Sequence, residues 1–222
     1  MTDLSLLDRL VETDRALTLA LNTSNQGGGD SFWMFLSSNA ATIPVYVLAI
    51  AMILLAAGWK RGLVYILAAA LAVGASDMLC NLVKDSVCRL RPGFDPYMLE
   101  NGIRVLIKSS PGHCCGFWSA HSALSFALAT ASSAAVLWGL RGRIAAGERC
   151  KRIRPAAIVY IVFVWSWAVL VALSRVFVAK HFLGDILVGA IAGIVMALIC
   201  VYIARYIAGK AFRHRYNKTT EI

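Results

Sequence analysis

The sequence predicts an all-α integral membrane protein, a helical bundle of about five transmembrane helices with an additional N-terminal amphipathic helix. Hydrophobic residues make up 59% of the 222 residues and charged residues only 15%, and the mean hydropathy is +0.68. Soluble domains are roughly 45–50% apolar and about 25% charged, so the composition excludes an ordinary soluble or disordered protein. Apolar runs recur at about the 20-residue length that crosses a bilayer. Backbone inside a bilayer must satisfy its own hydrogen bonds, which favours helices.

Residues 1–38 precede the apolar runs and are predicted to form a region of their own. Leucines recur there at helical spacing between charged residues, a pattern typical of an amphipathic helix that lies at the membrane interface or on the bundle. The polar, glycine-rich segment 22–31 is predicted to be a hinge. The aromatic residues that follow it are typical of an anchor at the membrane surface.

Residues 39–208 are predicted to form the transmembrane domain, followed by a basic tail over 209–222. Each of five apolar stretches in this domain approaches the length of a membrane span. They cover residues 40–58, 63–83, 119–140, 156–173 and 183–204.

The net charge of +10 is distributed unevenly between the predicted loops. Five spans place the loops 59–62 and 141–155 on the same side as the tail, and these three segments carry most of the lysines and arginines. The positive-inside rule assigns that side to the cytoplasm. The N-terminus and the loops 84–118 and 174–182 then face outward.

The first polar cluster, Lys84 to Pro92, closes the second span. Lys84 and Arg91 share a helical face if the helix continues that far, although Pro92 disfavours helix just before it. A basic span end is commonplace, so this cluster alone is a weak indication of function.

The second cluster, Ser119, Ala120 and His121, opens the third span. A helix N-terminus presents free N–H groups and positive dipole, which suit an anion. The alternative is a serine N-cap with an incidental histidine.

The third cluster links the last two spans and contains Ser174, Arg175, His181 and Asp185. At i,i+4 spacing, His181 and Asp185 are expected to meet on one helical face. A carboxylate on one imidazole nitrogen fixes the tautomer of the ring, as in an activated nucleophile. A metal site built from His121, His181 and Asp185 is an alternative, but the neighbouring cations would repel a metal ion.

The predicted topology brings all three clusters to the outer face. That topology was derived from the basic loops and not from the clusters, so the agreement is independent support. Lys84, Arg91 and Arg175, with N–H donors near Ser119 and Ala120, would form an anion pocket beside two histidines.

The three clusters resemble the signature of the type 2 phosphatidic acid phosphatase and vanadium haloperoxidase superfamily, KxxxxxxRP, PSGH and SRxxxxxHxxxD. The first and third parts match in full over Lys84–Pro92 and Ser174–Asp185. The second reads WSAH, so that Trp118 replaces the proline and Ala120 replaces the glycine.

A competing string, SPGH, ends at His113. His121 is preferred because it opens a helix of small residues with Phe126 five positions on, as in the family.

The resemblance implies a metal-independent lipid phosphatase without a cofactor. His181 would be the nucleophile and form a phosphohistidine, Asp185 would orient it, and His121 would act as general acid and then general base. The phosphoryl oxygens would be held by the residues Lys84, Arg91, Ser119, Ala120 and Arg175.

The resemblance also implies a lipid whose phosphate lies in the headgroup layer, most simply undecaprenyl diphosphate or lipid A 1-phosphate. Phosphatidylglycerophosphate and phosphatidate are further candidates. The partners are then a phospholipid or polyprenyl phosphate and the bilayer, not nucleic acid, and the oligomeric state is left open. The loop 93–117, with Arg104 and Lys108, would cover the site, although these two residues also fit ordinary solvated charges.

The stretch from Gly112 to His121 resembles envelope phosphatases of Gram-negative bacteria, which implies an inner (cytoplasmic) membrane protein with its active site in the periplasm. In that compartment Cys88 could pair with Cys114 or Cys115, or all three could remain thiols.

Two other functions fit the same residues. A lipid phosphotransferase would use the same phosphohistidine with another acceptor. A transporter would use Asp77, His121 and Asp185 within the membrane, but it would usually show internal repeats and broken helices, which this sequence lacks.

Overall fold

The computed structural model describes residues 5–24 and 28–218, and its regular structure is helical. This confirms the predicted all-α class. The helices are α1 (Leu6–Ser24), α2 (Asp30–Leu36), α3 (Asn39–Ser86), α4 (Pro96–Glu100), α5 (Ala120–Ala145), α6 (Ile153–Phe177) and α7 (Leu183–Lys218), with short 3-10 turns at Pro92–Phe94 and Pro111–His113.

The range of α3 contains two helical segments joined at Gly58. They form a helical hairpin that supplies two membrane crossings. Four of the described helices are long and apolar enough to cross a membrane, and α3 is one of them. At Gly58 the backbone leaves the helix with φ 71° and ψ 167°, a conformation open essentially to glycine. The close approach of Gly62 to Leu54 shows that the chain folds back there. A Cβ on Gly62 would lie only 3.0 Å from Leu54 Cδ2. The prediction of about five spans is therefore confirmed.

Small residues let the spans approach closely around α5. A Cβ on Gly139 of α5 would lie 2.7 Å from the Ala57 backbone in α3. On α7, a Cβ at Gly189 would lie 2.6 Å from the Ser119 carbonyl, and one at Gly193 would collide with the Ala123 carbonyl. The start of α5 is thereby held against the start of α7.

The basic loops lie together at one end of the bundle, and the three polar clusters found in the sequence lie at the other end. Arg143 Nη1 donates to the Leu55 carbonyl near the hairpin turn (2.7 Å), and the same guanidinium pairs with Glu148 (2.6 Å). Helix α5 runs from Ser119 to this end, so the segments 84–118 and 178–182 lie at its other end. The structure therefore groups the loops as the five-span topology predicts.

Helix α1 lies on the bundle, one of its two predicted positions, and it makes the contact with a polar face. Thr18 and Asn22 are 0% exposed, whereas Leu6 and Leu7 are 74% and 73% exposed. Asn22 Nδ2 donates to the Val176 carbonyl at the end of α6 (3.0 Å). Most of the apolar residues that indicated amphipathicity therefore point away from the protein, although Leu21 packs against the bundle.

Candidate active site

Helix α3 ends within the first cluster, before the second cation of that cluster, Arg91. Lys84 lies in the last turn of α3. Helix α3 ends at Ser86, so the condition for a shared helical face is not met and Lys84 and Arg91 do not share one. Val87 is already extended (φ −123°, ψ 96°), and Arg91 is extended as well (φ −71°, ψ 155°), as expected for the residue before Pro92.

Arg91 is instead placed by pairing with the loop that precedes α5. Its N–H donates to the Cys114 carbonyl (2.8 Å), and its Nε donates to the Cys115 carbonyl (3.1 Å). A disulfide joins Cys88 to Cys115, which is one of the two predicted pairings. Cys114 is a free thiol. The covalent and hydrogen-bonded links fix Arg91 beside the start of α5.

The second cluster opens α5 as expected. Ser119 is the N-cap, and its side chain accepts from the Ser122 N–H, while its own N–H donates to the Asp185 carbonyl (3.1 Å). Ala120 is the first residue of the helix. The tryptophan in place of the family's proline therefore leaves the cap intact, and the Trp118 carbonyl accepts from the Cys80 thiol (3.4 Å).

His121 follows in the first turn of α5 and borders a cavity of about 230 Å³. The cavity has a mostly apolar lining that includes Ile43, Leu124 and Val171. The competing His113 is exposed in the loop, where its Nδ1 hydrogen-bonds Ser110 (2.8 Å). The preference for His121 agrees with this placement.

His181 and Asp185 approach each other, but not on one helical face. His181 precedes α7, which begins at Leu183. Asp185 reaches back to accept from the Phe182 N–H with its Oδ2 (3.0 Å), which places that oxygen 3.6 Å from His181 Nδ1. The contact thus comes from a carboxylate that caps its own helix. At 3.6 Å it is too long for a hydrogen bond.

Arg175 lies at the end of α6 and is 7% exposed. Its Nη1 donates to the side chain and carbonyl of Ser37. Its Nε is buried without a hydrogen-bond partner among the residues that the structure describes, as is His181 Nδ1. Buried polar groups are rarely left unpaired in proteins.

The predicted residues therefore assemble at one end of the bundle. His121 lies within electrostatic range of His181 and of all three predicted cations, Lys84, Arg91 and Arg175. Burial lowers the pKa of His181 to about 4, with Asp185 opposing that shift and Arg175 adding to it. His181 is consequently neutral at pH 7, as a nucleophile must be.

The site includes residues that the sequence analysis missed. Lys180 is 9% exposed, and its Nζ donates to Ser109 Oγ (2.7 Å), which also accepts from Arg91 (3.2 Å). Burial, reinforced by Arg91 and Arg175, lowers the pKa of Lys180. Burial likewise lowers the pKa of Arg91, while Asp185 opposes it. The loop 93–117 thus closes over the cations.

Arg89 is the other residue that was missed. Its Nη1 pairs with Asp185 Oδ1 at 2.8 Å and its Nη2 with Asp14 at 2.6 Å. Arg89 occupies a variable position of KxxxxxxRP, so the motif gives no signal for it.

The metal-site alternative is not supported by the arrangement of its ligands. Among the described residues, the cluster whose ligand atoms lie close together consists of Cys88, Cys114 and Cys115, but the disulfide between Cys88 and Cys115 removes two of its thiolates. His121, His181 and Asp185 form no such cluster in that part of the chain. Arg104, predicted to be either a lid residue or a solvated charge, pairs with Asp30.

Comparison with known proteins agrees with the sequence motifs. Residues 61–208 match the model of the PAP2 superfamily. The lipid A 4'-phosphatase of Bacteroides thetaiotaomicron is 26% identical over 189 residues, which cover 85% of this chain and 75% of that protein.

Two crystal structures share the fold. Aquifex aeolicus LpxE matches with a TM-score of 0.58 and 18% identity over 84% of this chain and 93% of its own. A transmembrane PAP2-type phosphatidylglycerolphosphate phosphatase from Bacillus subtilis matches with a TM-score of 0.64 and 19% identity over 90% of this chain and 88% of its own. The similarity to these phosphatases, together with the membrane-spanning helices, supports a place among membrane lipid phosphatases. Because the family model spans more than half of the chain, the protein belongs to the PAP2 superfamily.

Proposed function

We propose that the protein hydrolyses the phosphate headgroup of a membrane lipid through a phosphohistidine on His181, without a metal ion. The observation that carries the proposal is the buried pair of His181 Nδ1 and Asp185 Oδ2, 3.6 Å apart, within electrostatic range of Arg91 and Arg175. A neutral imidazole beside a carboxylate is a nucleophile, and the cations supply the charge that a phosphoryl group needs.

In the first step, the Nε2 lone pair of His181 attacks phosphorus. The P–N bond forms while the P–O bond to the lipid breaks, and His121 gives its proton to the leaving oxygen. Asp185 accepts a hydrogen bond from Nδ1–H and stabilises the positive charge that develops on the ring. The contact of 3.6 Å tightens as that charge appears, because catalytic hydrogen bonds are often long before substrate binds.

In the second step, water attacks the phosphohistidine. His121 takes a proton from the water, the P–O bond forms, and the P–N bond breaks with its electron pair returning to Nε2. Inorganic phosphate leaves and both histidines regain their starting protonation states. If a second lipid replaced water, the same intermediate would give a phosphotransferase.

The phosphoryl oxygens are held by the cations and by the start of α5. Arg175 offers its buried Nε, which has no partner among the described residues. Lys84 and Arg91 contribute charge, and the N–H groups that open α5 after Ser119, beginning with that of Ala120, contribute donors. Such donors stabilise the charge of the transition state, which metal ions do in other phosphatases.

The substrate we propose is a lipid A phosphate, with undecaprenyl diphosphate as the second candidate. The relative named lipid A 4'-phosphatase supports the first. The apolar cavity beside His121 supports a lipid leaving group, since the proton donor must face the oxygen that carries the lipid. Family membership favours an enzyme over the transporter hypothesis, and Asp77 accepts a local hydrogen bond from Asn81 Nδ2 (3.4 Å).

We also propose that the protein resides in a bacterial inner membrane with this site in the periplasm. The basic loops at the opposite end of the bundle support that orientation. The disulfide supports an oxidising compartment on the side of the site.

Phosphate release from a lipid panel tests the function. The panel holds lipid A, undecaprenyl diphosphate, phosphatidylglycerophosphate and phosphatidate, and each is assayed with and without EDTA beside His181→Ala. We expect EDTA-resistant release that the substitution abolishes, and the fastest lipid identifies the substrate. Release that survives His181→Ala would exclude the nucleophile. Release that appears only with an acceptor lipid would indicate the transferase.

A further inference from the structure

Asp185 is bound on both of its oxygens. The residue is 0% exposed; its Oδ1 receives Arg89 Nη1 (2.8 Å) and its Oδ2 receives the Phe182 N–H (3.0 Å). Two fixed donors define the plane of the carboxylate. Oδ2, the oxygen nearest His181, therefore has one orientation.

Arg89 is in turn held from its far side. Its Nη2 pairs with Asp14 Oδ2 of helix α1 at 2.6 Å, and its guanidinium lies over the Phe182 ring, 4.0 Å from the centroid. A planar guanidinium can bridge two carboxylates in fixed geometry, which a lysine ammonium does not do. The ion pairs thus link α1 through Arg89 to the carboxylate beside the nucleophile.

Helix α1 also caps the helix that carries Asp185. Asp14 Oδ1 accepts from the Gly184 N–H (2.7 Å), and Thr18 Oγ1 accepts from the Leu183 N–H (2.9 Å). These N–H groups belong to the first turn of α7 and have no partner within that helix. A Cβ on Gly184 would lie 2.9 Å from Asp14 Oδ2, so the close approach depends on glycine at that position.

We propose that Arg89 and Asp14 are positioning residues of the reaction. Arg89 fixes Asp185 so that Oδ2 faces His181 Nδ1, and Asp14 fixes Arg89. Helix α1 is then a part of the active site, placed by its polar face, and not only a membrane-surface anchor. The inference rests on the proposed role of His181.

The test is steady-state hydrolysis in mixed micelles of the lipid that the wild type cleaves fastest. The variants are Asp14→Asn, Arg89→Gln and the double variant, with His181→Ala as the inactive reference. Glu12→Gln is the matched control, because it removes one exposed charge from the same helix. Arg15→Gln is the docking control, because it breaks a different ion pair of α1, with Asp95 (2.8 Å).

We expect Asp14→Asn and Arg89→Gln to lower kcat roughly 10- to 100-fold, as loss of a supporting hydrogen bond does elsewhere, with KM changed less than about threefold. The double variant should be no slower than Arg89→Gln, because both residues act through one network. Glu12→Gln should match the wild type, and Arg15→Gln should lower the melting temperature while keeping kcat within about threefold.

Wild-type kcat in Asp14→Asn, while His181→Ala is inactive, would overturn the inference and leave the proposed function intact. Equal losses of kcat in Arg15→Gln and Asp14→Asn would overturn it as well, since docking alone would then explain both. Activity in His181→Ala would instead remove the proposed function and the inference together. If Asp14→Asn fails to fold, Gly184→Ala replaces it, because the added Cβ displaces Asp14 while the charges of Asp14 and Arg89 are retained. A wild-type kcat in Gly184→Ala would also overturn the inference.

Discussion

Gly189→Ala tests whether the close contact between α5 and α7 sets the geometry of the site. The added Cβ would lie 2.6 Å from the Ser119 carbonyl. The start of α5 must therefore move by about 0.8 Å to restore ordinary van der Waals contact. Ser119 and His121 move with it, while Asp185, on the first turn of α7, does not.

The two consequences of this shift differ in size. Overpacking costs about 1–3 kcal/mol, and the higher helix propensity of alanine offsets about 1 kcal/mol of that. A displacement of about 1 Å between reacting groups can lower a rate about 100-fold. We therefore expect a small loss of stability and a kcat lowered by about two orders of magnitude.

The assay pairs phosphate release with thermal unfolding in detergent. Gly209→Ala is the matched control, since it lies on the same helix with nothing within 4 Å of the added Cβ; it should keep kcat and gain at most about 1 kcal/mol of stability from helix propensity. A Gly189→Ala enzyme with a kcat within about threefold of the wild type would refute the reasoning.

Three further predictions concern stability. Replacing Cys88 and Cys115 with serine opens a link across 27 residues and should lower the free energy of unfolding by about 3.5 kcal/mol, measured by denaturant titration; reductant should have the same effect on the wild type. Gly58→Ala places a Cβ at φ 71° and should cost about 1–3 kcal/mol; an unchanged melting temperature would contradict the hairpin turn. Because the pKa of His181 falls from 6.5 to about 4 on folding, the unfolded chain takes up the proton first as the pH falls. Stability should drop by about 3 kcal/mol from pH 6.5 to 4, and His181→Gln should show a smaller drop.

The fold was largely predictable because lipid-facing helices must be apolar along their whole length. The hairpin of α3 follows from two adjacent apolar runs separated by Gly58 to Gly62. The docking of α1 was not predicted in detail, because its leucines dominated the pattern. The useful signal was the polar spacing of Asp14, Thr18 and Asn22, which repeats every four residues and marks the face that the bundle buries.

The candidate site was predictable to the extent that its residues belong to sequence motifs. His121, His181 and Asp185 lie where the motifs suggested, although His181 occupies a turn and not a helix. Arg89 was not predictable, because its partners Asp185 and Asp14 lie 96 and 75 residues away in sequence. Only the fold brings such distant charges together.

Isolation of the phosphoenzyme tests the central claim most directly. The protein would be mixed with a lipid carrying ³²P in its phosphate and quenched in alkali within one turnover, and the labelled peptide would be sequenced. We predict label that is stable in alkali and lost in acid, on the peptide containing His181, and none in His181→Ala. Label on another residue, or rapid hydrolysis in the wild type with no labelled protein at any time, would contradict the account.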